Sequence, residues 1–235
     1  MSTRTLGFIL HRFPFQDADL ILKVFTPNHG VISVLAKGAK RSKSGAHFEP
    51  FMPIEIEFLG KSELKKLKSI EFSQAEVRGF KLKGDRLYSG FYLNELLMYL
   101  IPPSFSSALN LSDFFNQYEK TLSDLSVESF SLEGILREFE IELFKTLGLW
   151  PDLTRDDHGK PLHPDDFYLL SAESLPKKVE AGQGGFIGRD LLNIAVLDWT
   201  DTQTLRAAKR LLRHWVSFYA EGKVFKSREC FSGSL

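Results

Sequence analysis

The chain has 235 residues, 43% of them hydrophobic, with 30 Lys+Arg against 30 Asp+Glu. That length is ample for a real core, in one large domain or two small ones. The single cysteine, Cys230, excludes an intrachain disulfide framework and a cysteine-based zinc site, and it fits a reducing cytoplasm. The opening MSTRTLGFILHRF has no long apolar run, so no signal peptide is expected, and no stretch reaches the ~18 apolar residues of a membrane span.

Zero net charge conceals a partition. Residues 1–83 hold 14 Lys+Arg and 8 Asp+Glu, residues 84–195 hold 9 and 18, and residues 196–235 hold 7 and 4. The ends are basic and the middle is acidic. Local field, not net charge, steers a polyanion.

Residues 5–75 read as short strands. TLGFILHR is the first. DLILKVFT, Asp19 to Thr26, is the second and ends at the turn signal Pro27-Asn28-His29-Gly30. Val31 to Lys37 is the third. PIEIEFL, Pro53 to Leu59, alternates strictly, with Ile54, Ile56 and Phe58 inward and Glu55 and Glu57 outward. ELKKLKSIEF, Glu63 to Phe72, is the fifth, and its alternation breaks near Lys66-Leu67, which predicts a bulge. Five short strands in this span suit a Greek-key barrel of the OB type, although a five-stranded sandwich or SH3-like barrel has the same pattern.

From about Asp85 the period becomes helical. RLYSGFYLNELLMYLI is apolar on nearly all sides, as a central buried helix would be. Leu111, Phe114, Phe115, Tyr118, Leu122 and Leu125 form a helical stripe. Ser131 is a candidate N-cap for a third helix carrying Leu132, Ile135, Leu136, Phe139, Leu143 and Leu147, and Gly148 is its natural stop. Trp150 to Gly188 loses periodicity among prolines and glycines, and reads as an irregular insert with at most a short hairpin, Phe167–Leu170 with Gly185–Ile187. Helical pattern returns at Arg189, and Thr202 to Tyr219 is the clearest helix. The expected fold is α+β and multidomain: a five-stranded OB-type barrel over residues 1–80, then a helical domain over 81–235 with the insert at about 150–188.

Three constellations carry possible chemistry. The first is basic: Lys37, Lys40, Arg41 and Lys43 lie among Gly, Ser and Ala after the third strand, and Lys61, Lys65, Lys66 and Lys68 lie on the hairpin between strands four and five. In an OB fold that hairpin is a usual nucleic-acid contact, and mobile lysines bind phosphate without reading sequence. A solvated turn is the alternative. Phe13, Phe15 and Phe48 are candidates for stacking on bases, or core residues like most of the 21 Phe. The second is the face of the last helix, where Arg206, Lys209, Arg210 and Arg213 repel one another and suit a phosphate or an acidic peptide, unless acidic helical segments neutralise them. The third is Asp156-Asp157-His158 with His163, Asp165 and Asp166, whose spacing matches no defined metal site, so no metal is assigned. No G-x-S-x-G, P-loop, G-x-G-x-x-G or H-E-x-x-H occurs. No catalytic residue or cofactor is expected.

The order of segments then carries a resemblance. LHRFPFQDADLILKVFTPNHGVISVLAKGAKRSKS, EPFMPIEIEFLGKSELKKLKSIE, LYSGFYLNELLMYLI, LREFEIELFKTLGL, TQTLRAAKR and KSRE follow one another as in the bacterial RecO family of recombination mediators, most closely its gamma-proteobacterial branch. The resemblance implies an OB-fold N-terminal domain, a helical C-terminal domain and no catalytic turnover. It implies a cytoplasmic, nucleoid-associated protein that binds single- and double-stranded DNA and anneals complementary strands. With RecR, such proteins help load RecA onto DNA coated by single-strand-binding protein (SSB), and RecF is a further candidate link. Many members carry four zinc-binding cysteines in the region matching Trp150–Tyr168, and this chain has none there. The insert would then be held by packing alone. The resemblance also implies a pocket for the acidic-apolar SSB tail lined by Arg137 and Leu147, and it leaves open whether Arg206, Lys209, Arg210 and Arg213 serve that tail or DNA.

Overall fold

Five strands account for nearly all of the alternating sequence: β1 (Ser2–Phe15), β2 (Asp19–Thr26), β3 (Gly30–Ala36), β4 (Pro53–Leu59) and β5 (Leu64–Phe72). They come from a computed structural model that describes residues 2–41, 48–73, 80–101 and 111–230. The strands close a barrel in the order β1-β2-β3-β5-β4. β1 is longer than its apolar run because it serves two neighbours: Ser2–Phe8 pair with β4, and Phe8–Phe15 pair with β2. The closing pair, β3 with β5, is parallel, while the others are antiparallel. This is the OB-like arrangement expected from the strand count. Inward residues of every second position, among them Ile9, Leu22, Val24, Val34, Ile54 and Ile56, fill the barrel.

Two bulges interrupt the ladders. In β5 the pairs Glu57↔Ser69 and Phe58↔Leu67 leave Lys68 extra, one residue past the predicted break. Leu67 and Ile70 both pack against the core. Three residues apart, they can do so only if one residue is looped out. The second bulge was not foreseen: Ile9↔Val24 and His11↔Lys23 leave Leu10 extra in β1.

By contact the chain groups into two units, Met1–Phe130 with Val224–Leu235, and Ser131–Lys223. In the first, helix α1 (Gly84–Leu100) is at least half-buried at every residue from Arg86 on, as its uniformly apolar sequence requires. Helix α2 (Ser112–Leu125) buries Phe114, Phe115, Tyr118, Leu122 and Leu125, the predicted stripe. Its aromatic rings meet the barrel's outer wall: Phe115 lies 5.3 Å from Phe8 and 5.5 Å from Phe25, and Tyr118 lies 5.3 Å from Phe8. Asn94 of α1 donates to the carbonyl of the bulged Leu10 (2.9 Å) and accepts from the Tyr118 hydroxyl (2.6 Å). Arg86 donates to the carbonyls of Leu125, Glu128 and Phe130, which satisfies the exit of α2.

In the second unit, helix α3 (Leu132–Thr146) starts at Ser131, whose hydroxyl accepts from the Gly134 amide. It stops at Gly148, φ +70°. There the Gly148 amide donates to Lys145 and the Leu149 amide to Phe144, a Schellman closure. The insert is more ordered than a hairpin. Strands β6 (Phe167–Leu169), β7 (Lys177–Val179) and β8 (Phe186–Ile187) form a sheet in the order β7-β6-β8. Nor is packing all that holds it. The Asp156 carboxylate accepts from the amides of His158 and Lys160, the Asp156 amide donates to the Lys160 carbonyl, and Leu162 donates to Thr154. A carboxylate thus pins a tight knuckle through backbone amides. Helix α4 (Gly188–Ala195) leads to α5 (Thr202–Tyr219), which Asp201 caps and which buries Ala208, Leu211, Leu212 and Trp215.

A final turn, α6 (Lys226–Glu229), returns to the first unit. The Glu95 carboxylate of α1 accepts from the Lys226 and Ser227 amides and the Ser227 hydroxyl, and so caps it. Among the described residues no helix is long and apolar enough to cross a membrane.

Candidate nucleic-acid interface

The two basic segments of the barrel are about 25 residues apart in sequence, and the parallel β3–β5 pairing makes them neighbours. Leu35 pairs with Lys66, and Lys37 follows two residues later, just past the end of β3. At the same end of β5, Lys61 and Lys65 join Lys23, His29, Ser33 and the acidic Glu63 around a concavity of about 260 Å³. Burial and the nearby Lys65 push the His29 imidazole below its ordinary range, so at neutral pH it adds no charge.

The predicted cations are not equivalent. After β3 the chain makes a short 3-10 turn, Ala39–Arg41, rather than an open loop. Ala39 is buried, the Lys40 amide donates to Ala18, and the Lys40 ammonium donates to the Gln16 carbonyl, so Lys40 ties down the β1–β2 turn. Lys65 likewise donates to the Ser62 carbonyl within its own hairpin. Lys68, the bulged residue, lies 2.8 Å from Glu57 and holds that carboxyl below the usual carboxylate range. Lys37, Arg41, Lys61 and Lys66 are exposed and form no ion pair among the described residues. Lys43 lies outside the described residues. Of the aromatic candidates, Phe48 is core, Phe15 half-buried and Phe13 exposed.

Around the barrel the charge reverses. Glu55, Glu57 and Glu71 stand in one cross-strand row region of β4 and β5, where Arg4 of β1 makes a two-pronged contact with Glu55. The Arg4 hydrogen bonds hold the Glu55 carboxyl low. Among the described residues the charge of the barrel surface is therefore uneven.

In the second unit the basic face of α5 is divided. Lys209 is 3.2 Å from Glu133, so part of the repulsion is neutralised within the unit. Arg210 stacks over Phe186 at 4.3 Å and donates to the Gly185 carbonyl. Arg206 and Arg213 are exposed. Leu169, Leu170, Phe186 and Leu211 line a largely apolar cavity of about 340 Å³ with Arg210 and His214 at its edge. Arg137 is 4% exposed, with its guanidinium 3.1 Å from Glu140. Its Nε has no hydrogen-bond acceptor among the described residues. Leu147 is half-buried at the end of α3.

The acidic and imidazole groups of the insert do not converge: among the described residues no three metal-ligating groups come together. Asp156 serves the knuckle, Asp165 pairs with Arg189 and Asp166 with Lys178. Sequence reasoning missed Lys23 and the Phe186 cavity. Lys23 could have been found, since it is the one cation inside DLILKVFT and sits at an outward position. Phe186 could not, because its partners come from a sheet and a helix distant in sequence.

Comparison with known proteins follows the same two parts. The family model described as "Recombination protein O N terminal" matches residues 1–75, and "Recombination protein O C terminal" matches residues 81–229. Among curated relatives, three proteins named DNA repair protein RecO are similar along their length. The one from Idiomarina loihiensis is 35% identical, with 100% of this chain and 99% of the relative covered. That from Serratia proteamaculans is 36% identical over 96% and 91%. That from Dechloromonas aromatica is 32% identical over 96% and 93%.

Proposed function

The chain belongs to the recombination protein O family of DNA repair proteins, and on that premise we propose that it is a non-catalytic, cytoplasmic recombination mediator. It binds single- and double-stranded DNA, anneals complementary strands and, with RecR, helps load RecA onto SSB-coated single strands. The observation that supports this most is the β3–β5 edge, where the exposed Lys66 pairs with Leu35 beside the Lys23–Lys61 concavity, with the exposed Lys37 and Arg41 in the turn that follows β3 and Lys43 next in sequence. Annealing needs two polyanions held close with their repulsion neutralised, and this requires cations but no reacting group. Lys40, Lys65 and Lys68 contribute to the field while the first two hold local turns and Lys68 pairs with Glu57.

The test is DNA affinity as a function of salt for the wild type and for a variant with Lys37, Arg41, Lys61 and Lys66 all changed to Gln. Single-strand binding loses a log–log slope of about 0.7 for each phosphate contact removed. A variant with unchanged affinity and slope removes this edge from the interface. Strand annealing on SSB-coated DNA should fail in parallel.

The acidic SSB tail is the second partner in this reading. A buried Arg137 with an unfilled Nε supports a carboxylate there, beside Leu147. The Arg210–Phe186 cavity, with Arg206 and Arg213 on the same helix, supports an apolar terminal residue beside cations. Binding of an acidic, Phe-terminated peptide to Arg137→Ala and Arg210→Ala separates the two places. No binding to the wild type refutes the tail reading.

A further inference from the structure

The concavity between the β2–β3 turn and the β4–β5 hairpin follows from the strand register. β3 begins at Gly30, but its parallel pairing with β5 runs only from Ser33↔Leu64 to Leu35↔Lys66. The three residues before Ser33 have no β5 partner in the ladder, and there the space of about 260 Å³ opens against Val31 and Ile32. It is lined further by Lys23 of β2, Lys61 and Glu63 of the hairpin, Lys65 of β5 and His29 of the turn. Two of the cations are held in place. The Lys23 ammonium donates to the Ser33 hydroxyl (2.8 Å) and the Lys65 ammonium to the Ser62 carbonyl (2.7 Å). The imidazole is held as well: the His29 amide donates to the Thr26 hydroxyl (3.1 Å), and the ring meets Phe58 at 84°, with centroids 5.7 Å apart. Helix α2 reaches the same turn through an uncharged group, the Ser112 hydroxyl at Asn28.

We propose that this concavity is a proton-linked phosphate subsite: the His29 ring takes up one proton as a DNA phosphate enters. The proposal rests on the DNA-binding reading above and adds a regulation of that site by pH. Three ammonium groups against the one carboxylate of Glu63, with the Ser33 hydroxyl beside Lys23, select a compact anion. In the free protein, burial and then Lys65 hold the imidazole below its ordinary range. A seated phosphate opposes the second cause, because an anion within ~4–6 Å raises an imidazole pKa by about 1 unit or more. A pKa higher with DNA bound than free makes affinity rise as pH falls through the bound value and level off below the free value. One unit corresponds to about tenfold in affinity.

The probe is hydroxyl-ended oligothymidylate, whose diester phosphates and thymines keep their charge across the window of about pH 5 to 8 where histidine titrates. By fluorescence anisotropy at constant ionic strength, wild-type affinity should rise about tenfold from the alkaline to the acid end of that window, beyond any rise in His29→Gln. His29→Lys, charged throughout, should lose the response and keep the high affinity at the alkaline end. Calorimetry near pH 6.5, in two buffers of different ionisation enthalpy, should count more protons taken up by the wild type than by His29→Gln. If His29→Gln keeps the wild-type response, as it would were Glu63 the titrating group, or takes up as many protons, the subsite is refuted while the lysine edge stands. If the wild type binds no oligothymidylate at any pH, the DNA reading falls and the subsite with it.

Discussion

Replacing Asn94 by Leu is the sharpest probe of how the first unit is held together. Asn94 is 1% exposed and joins three elements through two hydrogen bonds, to the Leu10 carbonyl and from the Tyr118 hydroxyl. Leu10 is the extra residue of the β1–β2 ladder, and its carbonyl accepts from this buried amide. Leu fills similar volume but strips a partner from each of two buried groups, at about 1–3 kcal/mol per group. A loss of about 2–6 kcal/mol follows, and the melting temperature should fall by about 5–20 °C. Tyr118→Phe removes only the donor and should cost about 1–2 kcal/mol. Burial pushes the Tyr118 phenol far up, so it remains a donor at any working pH. The double variant leaves only the Leu10 carbonyl stranded, so it should be less destabilised than the two single changes added together, by about 1 kcal/mol. Urea denaturation, read on the transition of the barrel-containing unit, measures all three. A cost for Asn94→Leu below about 0.5 kcal/mol, or strict additivity, refutes the network.

The remaining predictions concern the second unit. Hydrogen bonds from the Lys160 and His158 amides hold the Asp156 carboxyl below its ordinary range. A depressed folded-state pKa contributes stability above the unfolded value and loses it as pH falls through the folded one. The insert should therefore loosen at acid pH below about 4, seen as faster amide exchange around the knuckle, and Asp156→Ala should show that loosened state already at pH 7. Gly148→Ala meets no neighbour and costs only the left-handed conformation, about 1 kcal/mol by chemical denaturation. Gly185→Ala adds a clash with the Tyr168 carbonyl to its positive φ, so its cost should exceed that of Gly148→Ala. Equal costs at the two glycines refute the close β6–β8 approach.

Periodicity carried most of the fold. The strict alternation of Pro53–Leu59 and the stripe of Leu205, Ala208, Leu212 and Trp215 left little choice, because each buries one face against a core. The insert was read poorly for a physical reason. Strands of two or three residues, such as Lys177–Val179, are too short to show a period, and they exist because neighbours pair with them. The candidate site was legible as composition but not as geometry. Charge runs show that Lys40 and Lys68 are cationic, but not that Lys40 donates to the Gln16 carbonyl or that Lys68 faces Glu57. Those partners arise from tertiary register, which a linear pattern does not contain.

The Leu10 bulge ties stability to what β1 presents on its outer face. Side chains alternate along a strand, so one extra residue reverses the facing of everything beyond it. In β1, Ile9 faces the barrel core opposite Val24. Without the bulge, His11 would pair with Leu22 and Phe13 with Leu20, both core residues, and two rings would have to enter a filled interior. With it, His11 meets Lys23 and Phe13 meets Ile21 on the outer face. A single looped-out residue thus turns an apolar strand into a ring-bearing edge beside lysines. Asn94 braces the looped-out backbone by donating to the Leu10 carbonyl. The buried amide in α1 and the exposed ring of Phe13 are two ends of one device, the first bracing the register that puts the second on the outer face.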